Sequence, residues 1–137
     1  MINSIYELPQ TVALNENVIF LTDVVRTNSA SCCGWLQHEQ GSGQFTLTNS
    51  GIYEIIFNAN ITSATTGALA LVFKSNGETL LGSEMDYTVA TANVYQNVSA
   101  SRLVKICNNA SKTITISNIT SNPMLVKNAN IIIKKIA

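Results

Sequence analysis

Cys32, Cys33 and His38 are the side chains that lie close enough in sequence to attack, coordinate or shuttle a proton together. Thiolate and imidazole are the usual zinc donors, in sets of three or four. Adjacent residues of a strand point to opposite faces, so Cys32 and Cys33 do not easily serve one ion. The Cys-x-x-Cys spacing is absent. A Cys–His nucleophile pair needs a group that orients the ring and donors for an oxyanion, and the flanking sequence marks neither. The plainer reading is a buried thiol, a second thiol at least partly exposed, and a histidine hydrogen-bonded locally. Glu84 and Asp86 stand two apart and would share a strand face. Paired carboxylates in that setting read as a solvated rim rather than an acid–base pair. No phosphate loop, nucleotide fingerprint or Ser-His-Asp order is visible. No catalytic residue, metal ligand or cofactor is expected, and the chain is not expected to be an enzyme.

The elements that would position these residues are strands. Helical periodicity is nearly absent. Short β-branched runs occupy Val12 to Leu14 and Val18 to Val25, and Gln44 to Thr48 alternates. From Gly51 to Ile61, Tyr53, Ile55, Phe57, Ala59 and Ile61 fall on one face at period two, while Ile52 and Ile56 point the other way. That strand needs apolar contact on both faces near its start. Ala68 to Lys74 runs into Asn76-Gly77, a hairpin signal. Val98 to Ile106, Thr113 to Asn118 and Asn130 to Ile136 complete the set, and Pro9 and Pro123 fall in connectors. Strands at this spacing predict an all-β sandwich.

Composition narrows the function classes. A chain of 137 residues is one domain by length and large enough to fold without a staple. Charged residues make up only 12%, with eight acidic and eight basic side chains. No basic face for nucleic acid follows from that balance, and no apolar run is long enough to cross a membrane. The start, MINSIYELPQ, lacks the pattern of a signal peptide. A product of the cytosol with reduced thiols is therefore expected, although Cys107 remains open to pairing with Cys32 or Cys33. Asn60, Asn97, Asn109 and Asn118 head Asn-x-Ser/Thr triplets, which a chain so rich in these residues generates by chance.

The order of the pieces carries a resemblance. FTLTNSGIYEIIFNANI, residues 45–61, resembles the hallmark strand of the complement and tumour necrosis factor jelly-roll superfamily, with Gly51, Tyr53, Ile55 and Phe57 in its pattern. ALALVFKSNGETLLGS (68–83) is similar to the next strand and turn. NVSASRLVKICNNASKTITISN (97–118) and ANIIIKKIA (129–137) are similar to the later strands. Cys32-Cys33-Gly34 followed by His38-Glu39-Gln40-Gly41-Ser42-Gly43 resembles short proteins of tailed bacteriophages and prophages, within the same superfamily. The resemblance implies a homotrimeric jelly roll that serves as a virion head fibre or capsid-decoration module. The implied trimer interface is Tyr53, Ile55, Phe57, Thr115, Ile131 and Ile133, with Ile52 and Ile56 filling the core.

The expected division is a jelly roll over residues 12–137 and an N-terminal tether over 1–11. The tether would dock on a capsid partner through Ile2, Ile5, Tyr6 and Leu8, or alternatively form a first strand or a tail. Three copies of His38 or of one cysteine could also meet at a threefold axis and bind an ion. The rival reading is a head domain that binds a receptor or glycan. Its loops, 62–67 and 84–97, would offer Tyr87 and Tyr95. Expected partners are the chain itself, other virion proteins and, on the rival reading, host-surface glycans. Neither nucleic acid nor membrane is among them.

Overall fold

Alternating sequence leaves each strand with one face to bury and backbone groups to pair, and antiparallel ladders meet both needs. The computed structural model describes residues 1–27 and 35–137. Its strands are β1 (Ile2–Tyr6), β2 (Gln10–Val12), β3 (Thr22–Arg26), β4 (Leu36–His38), β5 (Phe45–Leu47) and β6 (Gly51–Thr62). They continue with β7 (Gly67–Ser75), β8 (Glu78–Thr79), β9 (Met85–Val89), β10 (Gln96–Ile106), β11 (Lys112–Asn118) and β12 (Met124–Lys135). One sheet runs β10-β6-β12-β1-β3, with β2 on the first half of β12. The other runs β4-β5-β11-β7-β8, with β9 beside β7. Among the described residues there is no helix. The chain is an all-β sandwich, as the alternation predicts, and it has the jelly-roll form that the resemblance implies.

The core between the sheets is tied by aromatic edges. Phe20 meets Phe45 at 5.4 Å and Phe57 at 6.2 Å between ring centroids, and Phe57 meets Phe73 at 6.5 Å, all edge-on. Edge-to-face pairs of this kind add to the gain from area buried alone. Phe57 comes from the first sheet, Phe45 and Phe73 from the second, and Phe20 from the connector before β3. The strand expected over Val18 to Val25 is therefore shorter, starting at Thr22, because Val18 and Phe20 turn inward to fill the sandwich.

Parity on β6 is the opposite of the expectation. Tyr53, Ile55, Phe57, Ala59 and Ile61 are fully buried between the sheets, and Ile52 and Ile56 stand half-buried on the outside. The same correction applies to β12, where Ile131 and Ile133 are fully buried in the core. The inward set on β12 switches from Met124 and Val126 to Ala129, Ile131 and Ile133. A bulge between Lys127 and Asn130, with Asn128 at φ +52°, makes that switch possible. Thr115 lies on β11 in the second sheet, so it belongs to neither the first sheet nor its outer face.

Residues 1–11 are not a tether. β1 pairs antiparallel with β12 from Ile2↔Ile133 to Tyr6↔Ala129, and with β3 on its other edge. Ile2 is fully buried in the core and Ser4 is buried beside it. Two ladders and an inward alternation make β1 an interior strand of the first sheet, the outcome that the first-strand alternative describes. Gly51 opens β6 at φ +147°, where a Cβ would come within 2.5 Å of Lys135 Cε and 2.6 Å of the Ala137 carbonyl oxygen. Only glycine passes so close to the chain end.

Candidate functional site: the outer faces of the two sheets

His38 is positioned by β4 with its side chain inward and fully buried. Nδ1 meets Asp23 Oδ1 at 2.8 Å, Nε2 meets the Ser42 carbonyl oxygen at 3.0 Å, and the ring stacks on Phe45 at 4.1 Å. Asp23 also accepts from the Ser4 hydroxyl at 2.8 Å and from Arg26 at 3.3 Å. Arg26 donates in turn to the carbonyls of His38 at 3.1 Å and Leu36 at 3.4 Å. The ring's two nitrogens are therefore occupied, and the Ser4 hydroxyl leans on the carboxylate instead of the imidazole. That geometry cannot pass a serine proton to a histidine base. It joins β1 and β3 of one sheet to β4 of the other, which is a structural role.

Cys32 and Cys33 lie outside the described residues. Cys107 is exposed. Among the described residues no group of three His, Cys, Asp or Glu side chains could hold a metal ion. Glu84 and Asp86 are both exposed.

Of the N-terminal apolar residues, Ile2 is in the core, Tyr6 is half-buried against it, and Ile5 and Leu8 lie outside. Ile5, Tyr6 and Leu8 line a hollow of about 250 Å³ with Leu21 and Thr22, and Leu8 is 68% exposed. Tyr87 is half-buried on β9, not in a loop, and its hydroxyl donates to the Val94 carbonyl at 3.1 Å. Tyr95 is also half-buried, with Lys127 Nζ 4.0 Å from its ring centroid. Neither tyrosine stands free as a stacking platform.

The sequence reading missed the surface that parity puts outside. Across five strands of the first sheet, Ser101, Ile56, Ile132, Asn3 and Val25 stand in one line. Leu103, Ile52 and Ile136 extend the apolar area at one end, and Ile5 sits beside Asn130 at the other. Leu103 and Ile136 are each 49% exposed and Val25 42%. Within the apolar part Glu54 and Lys134 pair with each other at 3.0 Å, and Lys105 stands exposed at its edge opposite Ile52. Toward the far end the lining turns to asparagine: Asn3 donates to Asn130, and Asn97 donates to Asn60 at 3.1 Å. A signal existed in the sequence, since Ile52 and Ile56 demanded a second contact.

The outer face of the second sheet is polar. Thr113, Thr115 and Ser117 alternate outward along β11. Gln37 pairs across to Thr46, and Thr46 to Thr113, whose hydroxyls are 3.4 Å apart. The segment before Val18 folds over one side, held by Asn15 N to Asn118 O at 2.7 Å and Val18 N to Ile116 O at 2.8 Å. A trough of about 380 Å³ results.

Among the described residues no helix is long and apolar enough to cross a membrane. No family model matches the chain, and no curated protein does. Solved structures do. The globular domain of zebrafish complement 1qA protein is similar at 16% identity and TM-score 0.70, over 99% of this chain and 96% of that one. Eiger TNF from S. frugiperda is similar at 11% identity and TM-score 0.75, over 100% and 92%. The PRD1 vertex protein P5 is similar at 17% identity and TM-score 0.52, over 99% and 96%. The sheet order, the inward parity of β6 and these full-length superpositions together give the chain the jelly-roll fold of the complement globular heads and tumour necrosis factors.

Proposed function

We propose that the chain is a non-catalytic structural module of a virion, a head fibre or capsid decoration, that assembles as a homotrimer through the outer face of its first sheet. The observation that carries this reading is the apolar band of Ile52, Ile56, Leu103, Ile132, Ile136 and Val25, which crosses four of the five strands. The described residues of one chain leave that band exposed or half-buried. A largely apolar sheet face is the kind of surface that associates. Closed symmetry repeats each contact, so a small patch per chain suffices. The corrected parity supports the assembly while moving it from Tyr53, Phe57 and Ile131 to their sequence neighbours.

Placement in a virion rests on the phage-like Cys-rich and His-x-x-Gly-Ser-Gly segment, Cys32 to Gly43. It is supported by the likeness of fold to a vertex protein. A capsid partner would dock at Ile5, Tyr6 and Leu8, which line the hollow beside β1, although Tyr6 also packs against the core. A non-catalytic role agrees with a His38 whose nitrogens are both engaged.

Light scattering coupled to size exclusion tests the assembly, at micromolar and at tenfold lower concentration. A mass three times the 14.8 kDa chain is expected at both. A monomer at both concentrations overturns it. Particle association is tested by probing purified virions for the chain.

A further inference from the structure

The trough on the second sheet has a floor of polar side chains that face outward. Thr115 lies at its base, 9% exposed, and its side chain lines the trough. A hydroxyl that opens on a hollow can donate to or accept from a ligand atom there. Around it stand Asn15, Asn17, Gln44 and Lys74. Asn17 accepts from Ser117 at 2.6 Å through Oδ1, which leaves its Nδ2 donors aimed at no partner among the described residues. The side-chain amides of Asn15 and Gln44 make no hydrogen bond there either. Lys74 stands across the strand pair from Thr115 and has no ion pair among the described residues.

The lining decides the ligand class. Amides and hydroxyls both donate and accept, which suits a ligand that is itself a dense array of hydroxyls. No carboxylate lines the trough, so a metal ion lacks its hard donors. No aromatic side chain lines it, so a nucleobase lacks a stacking surface. A single cation is too little for a phosphate chain but suits one carboxylate. The volume of about 380 Å³ falls in the range of small-ligand sites, roughly 300–1,000 Å³. Gln44 also lines a neighbouring hollow of about 340 Å³ with Arg26, Gln37 and Glu39, so the path continues for a longer chain.

We propose that this trough binds an acidic saccharide, with Lys74 taking its carboxylate and Asn15, Asn17, Gln44 and Thr115 its hydroxyls. The site lies on the sheet opposite the proposed assembly face, and it stands or falls independently of the trimer. It deepens the rival reading of a glycan-binding head while moving the site away from Tyr87 and Tyr95.

The test uses the full chain on an array of oligosaccharides, with matched neutral and uronate- or sialate-bearing probes, followed by amide-shift mapping with the best acidic probe. Binding of acidic probes above neutral ones is expected, with shifts at Asn17, Thr113, Thr115 and Ser117. Lys74→Met should weaken the acidic probe at least tenfold and leave a neutral probe of equal length unchanged. Thr115→Val should weaken both. Melting temperature and solution mass should stay the same in each variant. No acidic probe bound at millimolar concentration overturns the proposal. So do shifts that map elsewhere, and so does a Lys74→Met variant that weakens neutral and acidic probes equally.

Discussion

Ile131 and Ile132 are neighbours in sequence, and they should fail in opposite ways. Ile131 is fully buried in the sandwich, while Ile132 is half-buried on the outer face beside Ile56. Fully burying an isoleucine gains about 1.5–3 kcal/mol. At most about a third of that remains for Ile132 to gain on assembly, about 0.5 kcal/mol per copy and about 1.5 kcal/mol per trimer. Ile132→Ala should therefore weaken the trimer about tenfold. Ile132→Asp should do more, because an unpaired carboxylate forced into an interface costs several kcal/mol in each copy. At micromolar concentration that variant should run as a folded monomer. Ile131→Ala removes core atoms and leaves a cavity, which costs about 2–5 kcal/mol of folding stability. It should keep the assembled mass and unfold at lower urea. Light scattering and urea denaturation on both variants give the answer. If Ile132→Asp keeps the assembled mass while Ile131→Ala loses it, the outward face has been assigned to the wrong parity and the interface argument fails.

Two further substitutions read the interior. Asp23→Ala strips the buried His38, Ser4 and Arg26 of their shared acceptor, and should cost about 3 kcal/mol in urea unfolding without changing the solution mass. An unchanged midpoint would mean that the network contributes nothing to joining the sheets. Burial pushes the Tyr53 phenol above its ordinary value near 10, so the folded chain holds this proton where the unfolded chain has begun to lose it. The stability it contributes is complete below about pH 10 and is lost as pH rises through the folded value. Tyr53→Phe removes the 2.7 Å bond to the Asn49 carbonyl, at about 1 kcal/mol, and should flatten the alkaline decline above about pH 10. An equally steep decline in the variant would place its source in another group.

Fold class was legible because the period of two is a local property. β6, β7, β10 and β11 stand within two residues of the runs that announce them, and Asn76-Gly77 makes the turn between β7 and β8 with both residues at positive φ. Which parity faces inward is a different kind of information. From Gly51 to Ile61 both faces carry apolar residues, and the sequence alone shows only that one is denser. Five apolar residues, two of them aromatic, stand against two isoleucines diluted by Glu54, Asn58 and Asn60. The denser face took the core because it excludes more water, and the resemblance to a trimer drew the reading the other way. Sheet membership was hidden for another reason. Thr115 joins the second sheet through β5 and β7, whose pairing partners lie about 40 to 70 residues away in sequence. The His38 network was invisible because Ser4, Asp23 and Ser42 reach it from three separate segments.

The two outer faces divide the low charge of the chain between them for different reasons. On the first sheet an unpaired charge in the middle of the face would have to lose its water on assembly, so Glu54 and Lys134 pair there and Lys105 stays at the β10 edge. On the second sheet, amides and hydroxyls suit a hydroxyl-rich ligand, and one lysine sets its sign. In the proposed trimer three troughs would point outward together. A weak site then gains from multivalency, by factors of about 10² to 10⁴ on a surface that presents many copies of the saccharide. Ile132→Asp should therefore leave the affinity for a soluble acidic oligosaccharide unchanged, while retention on a saccharide-coated biosensor falls by about that factor. Loss of the soluble affinity itself would show that the trough depends on the assembly, and the separation of the two faces would be wrong.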